Sequence, residues 1–119
     1  MHNFKNLLVW QKAREFVKIL YEVTSDFPVE EKYGIISQLR RASISIPSNI
    51  SEGSGRNSEL EFIRFLHIAY SSSYEIETQI FLSFDLGFIE KEKLDILLDK
   101  LYEIQKMLFI LIKNKSKKI

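Results

Sequence analysis

Apolar residues recur at three- and four-residue intervals along almost the whole chain, so the sequence reads as a series of amphipathic helices. From about Leu7 to Ser25, one stripe holds Trp10, Ala13, Phe16, Val17, Leu20 and Val23. Phe27-Pro28 closes that helix, because the residue before a proline avoids helical geometry. From about Glu31 to Glu52, a second stripe holds Tyr33, Ile36, Leu39, Ala42, Ile46 and Ile50. Pro47 lies inside it, removing one backbone donor and crowding the carbonyl of Ser43. A restart there would make Ile46 the N-cap, a poor choice. The pattern therefore predicts one helix, kinked near Pro47, with neighbouring serines and Asn49 serving the freed backbone groups. Gly53 and Gly55, just past Glu52, are expected to stop it.

Ser58-Glu59-Leu60-Glu61 has the form of a capping box and opens a third helix. Its stripe runs through Phe62, Phe65, Leu66, Ala69, Ser73, Ile76, Ile80 and Phe84, and it ends at Leu86-Gly87. A fourth helix starts near Glu90, where acidic Glu90 and Glu92 suit a helix N-terminus. Leu94, Leu97, Leu98, Leu101, Ile104, Leu108 and Leu111 line it. No segment alternates with a strand's period. Four helices with short connections predict an all-α, antiparallel up-down-up-down four-helix bundle. We expect one domain over residues 1–119, ending in a short basic tail, 113–119.

The last two helices carry more apolar surface than a core needs. Ile96, Tyr102, Phe109, Ile110 and Ile112 lie off the fourth stripe, and Ile63, Ile68, Tyr70, Tyr74 and Phe81 off the third. Exposed surface of that kind marks association, so we expect a subunit interface there rather than a thick, aromatic-rich core.

Composition narrows the chemistry. The chain has 119 residues, 45% of them apolar, with four glycines, two prolines and no cysteine. Disulfides and thiolate metal sites are excluded. The start, MHNFKNLLVWQK, lacks the apolar core of a signal peptide, and the longest purely apolar run, Met107 to Ile112, is far too short for a membrane span. A cytoplasmic protein with no membrane partner is expected. His2 and His67 are the only histidines, and the Glu-x-x-His pairs of di-iron bundles are missing. No metal or other cofactor is expected, and His67 reads as a core or interface residue. Glu75 and Glu77, two apart on a helix, face different ways and make a poor acid/base pair. No nucleophile has a plausible base. The sequence predicts no enzyme and no small-molecule substrate.

The net charge of +1 hides an uneven layout: Lys113, Lys115, Lys117 and Lys118 crowd the last seven residues, and without them the chain carries −3. Contact with a polyanion must therefore come from local patches. The segment QLRRASISIPSNISEGSGR, Gln38 to Arg56, holds three of the five arginines. Arg40, Arg41, Arg56 and Arg64, with the four tail lysines, are the candidate phosphate contacts. Arg40 and Arg41 project about 100° apart on a helix. They therefore cannot both face one partner: one is expected to pair with acids such as Glu52, Glu59 or Glu61, within the fold or across an interface, and the other is left for a polyanion. Gly53-Ser54-Gly55-Arg56 leading into a helix could cradle a phosphate, but it lacks the Lys-Ser/Thr of a P-loop and reads first as an interhelical turn. The lysine tail reads as a frayed, solvated end.

These residues also carry a resemblance. Leu8-Val9-Trp10-Gln11-Lys12-Ala13, Phe27-Pro28, Gln38-Leu39-Arg40-Arg41-Ala42, Ser45-Ile46-Pro47-Ser48-Asn49-Ile50, Glu52-Gly53, Gly55-Arg56 and Arg64-Phe65-Leu66 stand in the order and spacing of a known family. The chain resembles the four-helix-bundle proteins encoded by intervening sequences within bacterial 23S ribosomal RNA genes. Their relatives include the accessory variability determinant proteins of diversity-generating retroelements. The resemblance implies a homopentameric ring, with Pro47, Asn49, Glu52, Gly53 and Gly55 as its structural signature. For the retroelement relatives it implies a scaffold that binds RNA and a reverse transcriptase. Two readings follow: a non-catalytic oligomer that associates with RNA or an RNA-processing protein, and a protein-interaction scaffold whose arginines hold the assembly together.

Overall fold

The apolar stripes fold into four helices whose antiparallel order is fixed by pairs of side chains far apart in sequence. In the computed structural model, which describes residues 3–119, these are α1 (Leu8–Thr24), α2 (Ile35–Ser54), α3 (Glu59–Asp85) and α4 (Lys91–Ser116). Arg40 near the start of α2 reaches Thr24 at the end of α1. Gln38 meets Gln79 and Ser45 meets Ser72 between α2 and α3. Gln105 reaches back to Ser73 between α4 and α3, and Lys12 and Glu15 pair with Glu103 and Lys100 between α1 and α4. Each helix thus touches its two neighbours around a closed square, and the molecule measures 45 × 23 × 20 Å. This is the four-helix bundle that the periodicity predicts.

One apolar core runs the length of the square. Phe16, Leu20, Leu39, Ile50, Leu66 and Leu101 are among its fully buried members. Removing such a side chain costs about 2–5 kcal/mol, from lost burial and the cavity left behind. Ile63 and Ile112, which the pattern placed outside the stripes, are buried too. Their positions sit at the stripe edges, where the seams between helices still exclude water. Ile68, Tyr74, Phe81, Ile96, Tyr102, Phe109 and Ile110 remain exposed on the single chain.

The second helix departs from expectation at both ends. It begins at Ile35, not Glu31. A 3-10 turn, Val29–Glu31, follows Pro28, and Gly34 breaks the path at φ −105°, ψ −118°. Tyr33 consequently leaves the core stripe and stands 86% exposed. At the other end Gly53 does not stop the helix. It lies within α2, where a Cβ would come 2.7 Å from the Cβ of Phe65 and 3.0 Å from the ring of Phe62. Gly53 is there so that α2 can approach α3. Gly55 is the C-cap at φ −87°, a conformation open to any residue. The glycine that needs its freedom is Gly87, at φ +79°, after α3.

α2 runs without interruption through Pro47. Pro47 offers no N–H to the carbonyl of Ser43. Asn49 does not serve that carbonyl. Its amide donates instead to the carbonyl and hydroxyl of Ser45, at 2.7 and 2.9 Å, and Ser45 bonds Ser72 on α3 at 2.9 Å. Asn49 and Ser45 therefore tie α2 to α3, while Pro47 faces α1. Ser58 caps α3 by accepting from the Glu61 N–H at 3.1 Å, while the Glu61 carboxylate turns to Arg64 rather than back to Ser58. Among the described residues, no helix is long and apolar enough to cross a membrane.

Candidate nucleic-acid interface

The eight predicted cations do not form one patch. Arg40 and Arg41 lie near the start of α2, while Arg56 lies at its far end, roughly 22 Å away at about 1.5 Å per helical residue. Arg56 sets its guanidinium 4.8 Å from the ring of Phe65. Arg64 pairs with Glu61 at 3.3 Å in an exposed contact one turn apart. Lys113, Lys117 and Lys118 are exposed at the end of the chain.

Lys115 is different. The tail is not frayed here, because α4 continues to Ser116. Lys115 is only 9% exposed, bonds Glu59 at 2.8 Å, and lies 4.5 Å from the ring of Phe62. Its periodic position, seven residues beyond core residue Leu108, turns it inward. It locks the end of α4 to the start of α3 and is lost as a candidate phosphate contact.

Arg40 also corrects its expected role. It pairs with none of Glu52, Glu59 or Glu61. Its Nε donates to Thr24 Oγ1 at 3.0 Å, an Nη donates to the Tyr21 carbonyl at 3.3 Å, and the guanidinium lies 4.3 Å from the Tyr21 ring. The Tyr21 carbonyl already accepts from the Ser25 N–H at 3.1 Å, so Arg40 adds a further donor and ties the start of α2 to the end of α1. The neighbouring Arg41 is not held in this way. It is exposed and makes no hydrogen bond or ion pair among the described residues. Glu52, likewise exposed, forms no ion pair among them.

Arg40 and Arg41 instead open onto a groove between α1 and α2. Its first half, a depression of about 440 Å³, is walled by Tyr21, Lys32, Tyr33, Ile36, Arg40 and Arg41. Its second half, about 450 Å³, is walled by Phe4, Trp10, Arg14, Pro47 and Ser51, and Ile44 is common to both. Arg14 lies 5.6 Å from the Trp10 ring, which Phe4 meets edge-on at 5.1 Å. Lys32 lies 5.4 Å from the Tyr33 ring. Among the described residues no acidic side chain lines either half. Glu31, beside Lys32, turns its carboxylate onto the Ile35 N–H at 3.5 Å. Other depressions mix the signs: Lys12, Glu15, Lys100 and Glu103 line one, and Asp26, Glu90 and Lys93 another.

The residues that complete this groove, Lys32, Tyr33, Tyr21, Arg14 and Trp10, are not site candidates in the sequence pattern, which puts Tyr33 and Trp10 in core stripes. The available signal was Gly34, whose break releases Tyr33 from the stripe. His67, expected in the core or an interface, is exposed on the single chain. Glu75 and Glu77 do face different neighbours: Glu75 accepts from Gln79, and Glu77 accepts from Tyr102 and Gln105. Among the described residues no three His, Asp or Glu side chains are grouped to hold a metal ion.

An all-α bundle with a cationic, acid-free groove is thus the class that fold and surface define. The model of the 23S rRNA-intervening sequence protein family matches residues 5–109, and the chain belongs to that family. It is similar to a crystal structure from Bacteroides thetaiotaomicron described as a protein of unknown function from the S23 ribosomal protein family. That likeness has a TM-score of 0.80 at 28% identity, over 89% of this chain and 99% of that one. Among curated proteins, none matches.

Proposed function

We propose that this chain is a non-catalytic, oligomeric protein that associates with RNA. The observation that carries the reading is the α1–α2 groove, where Lys32, Arg40, Arg41 and Arg14 meet no carboxylate. A surface that collects cations without counter-charges raises the local concentration of a polyanion. Assembly is supported by the exposed apolar residues of α3 and α4, Tyr74, Phe81, Ile96, Tyr102, Phe109 and Ile110. A pentameric ring, as the family resemblance suggests, would present five grooves and convert weak attraction into avidity.

RNA binding measured by fluorescence anisotropy across a salt series tests this. Affinity should fall steeply with salt, and the paired change Lys32→Ala with Arg41→Ala should flatten the slope by about 0.7 per cation removed. The mass by light scattering should stay unchanged. Salt-independent binding, or a variant that falls apart, would reject the reading. A protein-docking scaffold without nucleic-acid contact is the other reading. In its favour, Arg40, Arg64 and Lys115 are already engaged within the fold.

A further inference from the structure

We infer that the α1–α2 groove takes single-stranded RNA in preference to duplex, with a base stacked on Tyr33 and phosphates held by Lys32 and Arg41. This rests on the RNA reading above and adds the form of the ligand and the residue that selects it. Tyr33 stands at the centre of this site. It is the most exposed aromatic residue among the exposed large apolar side chains, at 86%. Gly34 and the preceding 3-10 turn hold it at the mouth of the groove, outside the bundle core. The core does not use the ring, because Ile36 and Leu39 already fill it at this level, so the ring is free to meet a ligand.

The neighbours give the ring a purpose. Lys32 and Arg41 line the same depression, and Arg41 has no partner among the described residues. An exposed ring flanked by cations matches the unit of a single strand, in which phosphates alternate with bases free to stack, whereas the Tyr21 and Trp10 rings already meet Arg40 and Arg14. A duplex offers its phosphates but keeps its bases stacked inside. Charge alone would bind it equally well, whereas an exposed ring gains nothing from it. Ser37 beside Arg41, and Ser48 and Ser51 further along, provide hydroxyl groups on the same wall. They suit sugar or phosphate oxygens and require no particular base. The site should therefore be tolerant of sequence.

The test uses the full chain and a short fluorescein-labelled RNA of mixed sequence, alone and annealed to its complement. We expect the single strand to bind more tightly. Tyr33→Ala should weaken it about tenfold, in the range of one lost stacking contact, with the salt slope unchanged. Tyr33→Phe should retain affinity. Arg41→Ala should lower the salt slope by about 0.7. If duplex binds as tightly and Tyr33→Ala is silent while Arg41→Ala still lowers the slope, stacking is refuted and the RNA reading stands. If neither RNA binds in a salt-dependent way, both fail. If Tyr33→Ala lowers the mass seen by light scattering, the groove is a contact between copies, and the inference is overturned.

Discussion

Two seams of the bundle, α1–α2 and α3–α4, are built alike and finished differently. Each joins antiparallel helices over the same core. Along α1–α2 the long polar side chains are cations with no carboxylate facing them, and only Arg40 is anchored. Along α3–α4 a carboxylate is spent inside the seam: Glu77 accepts from the Gln105 amide at 2.9 Å and the Tyr102 hydroxyl at 3.2 Å. Gln105 also reaches the Ser73 carbonyl, and Tyr70, Tyr74 and Phe109 form a connected aromatic strip beside it. A charge that meets its counter-group across a seam is part of the fold, and one that meets none is available surface. The same rule separates adjacent Arg40 and Arg41, which residue type alone cannot.

The largest effect that would sharpen this contrast is on assembly. Tyr74→Glu combined with Phe109→Glu puts two charges on the proposed interface, and the mass in light scattering should fall to the 14.1 kDa of one chain. Helix content should persist, because both side chains are about half exposed in the single chain. Ile44→Glu, in the α1–α2 groove, should leave the mass alone. If Ile44→Glu dissociates the protein and the double variant does not, the roles of the two seams are reversed.

Stability separates the seams next. Glu77→Ala leaves the buried Gln105 amide without its carboxylate, and a buried polar group so deprived costs about 1–3 kcal/mol. Arg40→Ala should cost about 1–2 kcal/mol, through lost bonds to Thr24 and Tyr21. Arg41→Ala should stay within about 0.5 kcal/mol, as exposed substitutions usually do. Urea unfolding of the three variants checks the order. An Arg41→Ala loss equal to that of Arg40→Ala would mean that Arg41 is structural after all.

The sequence made the bundle legible because core burial repeats with the helix period, and four stripes sufficed to order it. It made the candidate site only partly legible. Arg41 and Arg40 were visible as a pair, but which was anchored depended on Thr24, sixteen residues away. Lys115 looked like tail charge because composition groups it with Lys113, Lys117 and Lys118. Only its phase on α4, which the stripe through Leu108 contains, turns it towards Glu59. Gly53 looked like a helix stop because glycine after a stripe commonly is one. The approach of Phe62 and Phe65 that requires it is a tertiary fact. Tyr33 was misplaced by a single helix boundary, and boundaries depend on turns such as that at Gly34 more than on periodicity.

The smallest expected effect lies at alkaline pH and belongs to the α3–α4 seam. The hydrogen bond to Tyr74, then burial, raises the Tyr70 phenol above its ordinary value of 10.0. Partial burial against α3, then the negative charge of Glu77, raises the Tyr102 phenol in the same direction. The folded state therefore holds these protons more tightly than the unfolded chain does. The stability they contribute is fully present below 10.0 and is lost as pH climbs through the raised folded values. Urea midpoints should accordingly fall between about pH 9 and about pH 11. Phenolate absorbance should rise later in the folded protein than in urea. Tyr102→Phe keeps the ring and removes one of the two protons at issue, so it should flatten part of that decline. If Tyr102→Phe leaves the alkaline decline unchanged, Glu77 is not holding the Tyr102 proton. The contrast between a seam that spends its carboxylate and one that has none would then rest on Gln105 alone.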